Sequence, residues 1–277
     1  MPASPEHNPG PKASGLNVRV MASLLLAPPV VLAIYAGTPF IEPLIIISAG
    51  IMAREWGRLC CRSGPERSSW VMMVAVIVPL LALPAFGVSL SWPLLLLGAV
   101  VAALFAARDR AEPRLVILGT LYIGVACLAF LLIRGYTPDG RFLALWLVAI
   151  VWAADSGAYL FGRVIGGPKL APKISPKKTW AGFTGAMIMA ALVSWIFVQV
   201  VGAWSSMALV LAAAGLAAIE QVGDLLISML KRYFGVKDTG ALIPGHGGLL
   251  DRTDGLLLAS VAAAAYITLV GTGGMHD

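Results

Sequence analysis

The chain is built from repeated apolar runs, many of 16 residues or more, separated by short polar stretches. That feature points to a membrane. With 59% hydrophobic residues and a mean hydropathy of +0.87, the chain carries more nonpolar surface than one soluble core can hide. Nine apolar segments are read at 20–36, 40–53, 69–87, 92–107, 115–133, 142–162, 180–201, 206–230 and 255–270. Several are shorter than the roughly 20 residues a span requires, so their ends are fixed only to within a few positions. Hydrocarbon offers the backbone no hydrogen-bond partners, and the runs lack the alternation of barrel strands, so the spans should be helices. The expected fold is all-α, a polytopic transmembrane helical bundle of about nine transmembrane helices.

Three regions follow. Residues 1–19 form a polar, Pro-rich tail, residues 20–140 an amino-terminal set of membrane helices, and residues 141–277 a carboxyl-terminal membrane region with polar loops at 163–179 and 231–254. The polar lead is long and no clear A-x-A site follows the first run, so that run is read as a retained helix rather than a cleaved signal. Cys60, Cys61 and Cys127 have no metal-ligand spacing, and the adjacent pair is poorly placed to form a disulfide.

Alternating nine spans puts 18 of the 20 Lys and Arg residues on the amino-terminal side and leaves only Arg134 and Arg141 on the other. By the positive-inside rule the amino terminus is cytoplasmic, the carboxyl terminus faces outward, and both large polar loops lie in the cytoplasm. The arginines from Arg54 to Arg67 and from Arg108 to Arg114 are read as topology signals that touch anionic headgroups.

Acids inside apolar segments demand another explanation. Glu220, Asp224, Ser228 and Lys231 fall on one helical stripe of the eighth segment. Asp224 lies about 26 Å along that helix from Met207, and Asp155 lies about 20 Å along the sixth segment, both in the cytoplasmic half. An ionised group near mid-membrane costs on the order of 3 kcal/mol, and intramembrane ionisable residues are functional candidates by default. The alternative is that Asp155 pairs with Arg163 and Asp224 with Lys231 merely to hold helices together.

The window SMLKRYFGVKDTGALIPGHGGLLDRTDG, residues 228–255, gathers Lys231, Arg232 and Lys237 with Asp238, Asp251 and Asp254. Its glycines allow close backbone approach to a ligand, and Pro244 fixes a bend. Cations beside carboxylates suit a phosphate carrying a divalent cation. The plainer reading of Asp251 with Asp254 is a helix cap, and of His246 an ordinary loop residue. Capping and metal binding are compatible.

Taken together, these residues resemble the signature of phosphatidate cytidylyltransferases, also called CDP-diacylglycerol synthases. Ser228, Lys231, Arg232, Lys237, Asp238, His246, Gly247, Gly248, Asp251, Arg252 and Asp254 fill that pattern. Upstream, DSGAYLFGRVIGGPKLAPKISPKKTWAGFTG from Asp155 to Gly185 is similar to the family's second polar stretch, including SPKKT at Ser175 to Thr179. The resemblance covers about the carboxyl-terminal half. Two departures stand out, since Ala181 and Ile227 occupy positions where the family often carries an acid or amide and an acid, respectively.

The resemblance implies transfer of a cytidylyl group from CTP to phosphatidic acid, giving CDP-diacylglycerol and pyrophosphate, in phospholipid biosynthesis at a bacterial inner membrane. It implies Mg2+ held by Asp224 and Asp251, with Asp254 as a further carboxylate, and Lys231 and Arg232 as cations in the catalytic set. Ser175, Lys177, Lys178, Thr179, Ser228, Lys237, Asp238 and His246 would bind substrate. The implied partners are CTP, phosphatidic acid, membrane lipids and a second copy in a homodimer, with no nucleic acid. No Walker-type G-x-x-x-x-G-K-[ST] is present, so the expected nucleotide site is not a P-loop. Two other readings share the apolar bundle: a transporter of anionic solutes, for which no internal repeat is visible, and a noncatalytic scaffold diverged from the synthase.

Overall fold

The computed structural model describes residues 27–61, 66–136, 139–201, 206–240 and 247–270. The helices are α1 (Ala27–Ala36), α2 (Ile41–Cys60), α3 (Arg67–Arg108), α4 (Pro113–Tyr136), α5 (Gly140–Val164), α6 (Trp180–Val201), α7 (Ser206–Tyr233) and α8 (Leu250–Val270). Between α5 and α6 lie two short strands, β1 (Lys169–Ala171) and β2 (Ser175–Thr179). Among the described residues, five helices are long and apolar enough to cross a membrane: Arg67–Arg108, Pro113–Gly135, Gly140–Val164, Trp180–Val201 and Met207–Tyr233. The polar tail at 1–19, the start of the first apolar segment, Arg62 and His246 lie outside the described residues.

One of the five is not a single rod. As a straight helix, the 42 residues of α3 would reach about 63 Å, twice the roughly 30 Å hydrocarbon thickness. Gly87 interrupts it with φ 67° and ψ −166°, a conformation essentially open only to glycine. The arms, 67–86 and 88–108, match the separate apolar runs read at 69–87 and 92–107.

The expectation of an all-α chain needs one correction. Residues 163–179 were expected as a loop, yet β1 and β2 pair antiparallel, with Lys169 opposite Thr179 and Ala171 opposite Ser175. Pro172, Lys173 and Ile174 make the turn, closed by the Ile174 N–H donating to the Ala171 carbonyl at 3.1 Å. The strands are too short for apolar alternation to reveal them. At its end, the Trp180 N–H donates to the Pro168 carbonyl at 3.1 Å and Thr179 Oγ1 accepts from the Gly182 N–H at 3.1 Å. Thr179 therefore caps α6, which fixes β2 against the start of that helix.

In lipid, helices associate through close packing rather than hydrophobic expulsion. Glycines at 157, 162, 182 and 185 bring α5 and α6 together: a Cβ on Gly157 would stand 2.5 Å from the Gly185 carbonyl oxygen, and one on Gly182 would stand 2.8 Å from that of Ala158. Deeper in the bundle, Trp146 Nε1 donates to Ser194 Oγ at 2.9 Å, and that hydroxyl donates to the Leu209 carbonyl at 3.1 Å, joining α5, α6 and α7. Helix α8 packs against both α7 and α4, so its amino-terminal end sits between the two halves of the chain. Replacing Gly157 by Leu is expected to destabilise the protein by about 1–3 kcal/mol through overpacking, read as a lower unfolding temperature in detergent.

Candidate active site

The polar stripe of α7 forms one wall. Asp224 Oδ2 lies 2.6 Å from Lys178 Nζ on β2, and Asp224 Oδ1 accepts from Ser228 Oγ at 3.1 Å. Lys178 also donates to the Gln221 side-chain oxygen at 2.9 Å. Two turns beyond Asp224, Lys231 Nζ meets Asp251 Oδ1 of α8 at 2.7 Å. These pairs differ from the helix-holding alternative, in which Asp155 bonds Arg163 and Asp224 bonds Lys231. Arg163 instead donates to the Tyr159 hydroxyl at 2.7 Å.

Asp251 is a hub. Its Oδ2 accepts from the Thr239 N–H at 2.8 Å, the Thr239 hydroxyl at 3.0 Å and the Gly248 N–H at 3.0 Å. The residue stands in the first turn of α8, ahead of the apolar stretch 255–270. Burial pushes its carboxyl up, but the Lys231 hydrogen bond and the two backbone N–H groups outweigh that and hold it below its ordinary value. Gly247 is in the left-handed region at φ 82°, and a Cβ there would press on Asp251 Oδ2 at 2.9 Å, so the approach requires glycine.

Behind these pairs lies a second group of acids. Asp155 of α5 interacts electrostatically with Glu220 and Asp224 of α7, with Lys178 and with Arg252. Asp254 interacts with Asp224, Lys231 and Asp155, and its carboxyl accepts from its neighbour Gly255 N–H at 2.9 Å. Three helices and β2 thus bring Asp155, Lys178, Glu220, Asp224, Lys231, Asp251 and Asp254 to one place. Among the described residues, no cluster of three His, Cys, Asp or Glu side chains forms a ready-made metal cage.

Other sequence candidates are less central. Lys177, Lys237 and Asp238 are exposed, Ser175 is half-buried, and Thr179 is buried in its capping role. Arg232 donates to the Ile174 and Val236 carbonyls, each at 3.3 Å, linking the end of α7 to the hairpin. Ile227 is buried at 1% exposure, so the acid common in the family would meet apolar packing in this chain. Ala181 lies in the first turn of α6.

Sequence reasoning missed Glu55. This buried carboxylate on α2 accepts from the Leu249 and Leu250 N–H groups, both at 2.9 Å, and from Thr239 Oγ1 at 3.3 Å. A negative group there satisfies amide donors at the start of α8 and complements its dipole. The available signal was an acid at the end of an apolar run, hidden among arginines that serve as topology markers. Tyr122 of α4 and Gln221 were also missed; the Tyr122 hydroxyl donates to the Asp254 carbonyl at 3.2 Å.

The model of the Cytidylyltransferase family matches residues 17–270. The chain belongs to that family. Similar members include the phosphatidate cytidylyltransferase of Brucella suis, 44% identical over 153 residues that make up 55% of each chain. That of Haemophilus influenzae is 45% identical over 148 residues, 50% of this chain and 51% of the relative. That of Bacillus subtilis is 39% identical over 148 residues, 53% of this chain and 55% of the relative. The chain spans about half the length of these curated relatives.

Within this cytidylyltransferase family member, Glu55 ties the amino-terminal helices to the charged centre. Glu55→Ala strands two backbone donors and is expected to cost about 1–3 kcal/mol, measured as a lower unfolding temperature in detergent, with Glu55→Gln intermediate.

Proposed function

We propose that this chain transfers a cytidylyl group from CTP to phosphatidic acid, forming CDP-diacylglycerol and pyrophosphate, as a step of phospholipid biosynthesis. The observation that carries this reading is the pair of lysine–carboxylate contacts, Lys178–Asp224 and Lys231–Asp251, in a chain whose family match covers residues 17–270. Cations and carboxylates held side by side suit a phosphate that arrives with a metal. The names of the relatives support the substrates. Nothing observed favours a transporter or a scaffold.

In the proposed reaction, a phosphate oxygen of phosphatidic acid attacks the α phosphorus of CTP. A new P–O bond forms there, and the bond to the β-phosphate oxygen breaks, releasing pyrophosphate. The substrate brings its own nucleophile, so the protein's task is alignment and charge neutralisation. Lys178 and Lys231, with Lys177, Arg232 and Lys237 at the exposed rim, hold phosphate oxygens. Ser175, Ser228, Thr179, Asp238 and His246 complete the proposed substrate-binding set, with Thr179 acting through the capped start of α6.

The donor set fits magnesium. Asp155, Glu220, Asp224, Asp251 and Asp254 gather beside Lys178, Lys231 and Arg252. Hard carboxylate oxygens are the ligands such an ion prefers. Asp224 and Asp251 are the proposed ligands, with Asp254 as a third carboxylate. When bound there, magnesium would neutralise phosphate charge during the transfer.

The proposed topology has nine spans, counting α1, both arms of α3 and α8 with the others. The amino terminus and the charged centre face the cytoplasm of a bacterial inner membrane, and two copies form a homodimer. A carboxyl-terminal reporter active only on the outer face of the membrane is expected to give signal; a cytoplasmic signal overturns the nine-span count.

Purified protein given CTP and phosphatidic acid should release pyrophosphate only when both are present, and chelation should stop the reaction until magnesium is restored. Asp224→Asn and Asp251→Asn are each expected to lower kcat by at least about a hundredfold, comparable with losing one electrostatic contact to a transition state. Wild-type rates in either variant refute its assignment as a metal ligand.

A further inference from the structure

An apolar cleft of about 510 Å3 separates the start of α4 from the end of α7, a size within the roughly 300–1,000 Å3 of pockets that take small ligands. Leu118, Leu226 and Met229 form open walls, 54%, 41% and 49% exposed, whereas Ile227 and Leu230 are buried. Glu112 and Arg114 at the start of α4 and Tyr233 at the end of α7 mark one end. By the topology proposed above, that end is cytoplasmic and the cleft lies in the inner leaflet.

The cleft and the charged centre share a wall. Tyr122 lines the cleft while its hydroxyl donates to the Asp254 carbonyl at 3.2 Å. Trp56 also lines it, is the chain neighbour of Glu55, and donates its indole N–H to the Leu115 carbonyl at 2.9 Å. Ile227 and Leu230 immediately precede Ser228 and Lys231. A chain lying in this cleft is therefore one side-chain layer from the acids, near the end of α7 that carries Lys231 and Arg232. Glu112 and Arg114 stand at the rim, and Arg232 is exposed at the same end of α7, within reach of a phosphate headgroup at the cleft mouth. A nucleotide finds almost no polar lining there.

We propose that this cleft between α4 and α7 seats one acyl chain of the lipid substrate and thereby sets its depth relative to the charged centre. The proposal rests on the phosphatidate reading above. It makes chain length a determinant of turnover, because each methylene in the cleft adds apolar contact. The deep end is at Leu226, about 10 Å along α7 from Tyr233.

The test uses the full chain in detergent micelles with dioleoyl or dioctanoyl phosphatidate. Leu226→Trp fills the deep end from a lipid-exposed position. It is expected to lower kcat/KM for the dioleoyl lipid at least about tenfold through steric exclusion of the chain end, with less than about a twofold change for the dioctanoyl lipid. KM for CTP should be unchanged. Equal losses on both lipids, or no loss, overturn the proposal. Disruption of a dimer by Leu226→Trp with no chain-length effect assigns the cleft to a second copy and likewise overturns it.

A second measurement does not depend on turnover. Phosphatidate with a diazirine midway along one acyl chain, irradiated with the wild-type protein, should label peptides spanning 115–122 or 226–230. Unmodified phosphatidate should compete and phosphatidylcholine should not. Labelling confined to other helices ends the proposal even if the enzyme turns over. Specific labelling of the cleft in a protein inert towards CTP ends the cytidylyl-transfer reading and leaves the lipid site standing.

Discussion

A charge placed within an apolar bundle must find a partner, because an isolated carboxylate at membrane depth is costly and a broken buried pair is costlier than none. Here the partners come from different elements. Lys178 on β2 meets Asp224 on α7, Lys231 on α7 meets Asp251 on α8, and Glu55 on α2 meets the first amides of α8. Helix α7 presents Asp224 and Lys231 about two turns apart to two different neighbours. The arrangement fixes the axial register of four elements at once, because sliding any of them along its axis would separate at least one pair.

The same economy suits the proposed chemistry. In the described arrangement the two lysines lie on the two carboxylates assigned to the metal, each within 2.7 Å. Charged groups from three helices and one strand remain in mutual reach without collapse because every acid has either a cation or a hydrogen-bond donor nearby. Under that proposal, phosphate and magnesium would exchange partners with groups already in place, so little reorganisation would be required, and low reorganisation is what makes electrostatic stabilisation effective.

The sequence revealed the membrane class, the helical segments and the residues of the charged window, because each leaves a local trace. Uncharged length marks a span, and Glu220, Asp224, Ser228 and Lys231 share a face through helical period alone. Partners left no such trace. Lys178 reaches Asp224 only because a three-residue turn folds β2 back beside β1, and neither strand is long enough to show a period of two. Gly87 falls at the boundary read between the apolar runs 69–87 and 92–107, but the positive φ it adopts there leaves no trace in the apolar pattern. Glu55 was obscured for a different reason: its donors are main-chain amides 194 and 195 residues away, and backbone groups carry no side-chain signature.

Glu55 changes how the amino-terminal half should be understood. The motif residues all lie between Asp155 and Asp254, which invites the view that earlier helices only anchor the rest. Yet the start of α8, with Asp251 and Asp254, is gripped from outside that region by the Glu55 carboxylate, and the Asp254 carbonyl by the Tyr122 hydroxyl. Both grips act on the α8 backbone or its edge, so they constrain where Asp251 and Asp254 stand without asking for particular motif side chains in return. Glycines at 240 and 248 admit the carboxylate, since a Cβ on either would fall within 2.8 Å of a Glu55 oxygen. The motif therefore supplies the charges, while α2 and α4 determine where two of its acids stand.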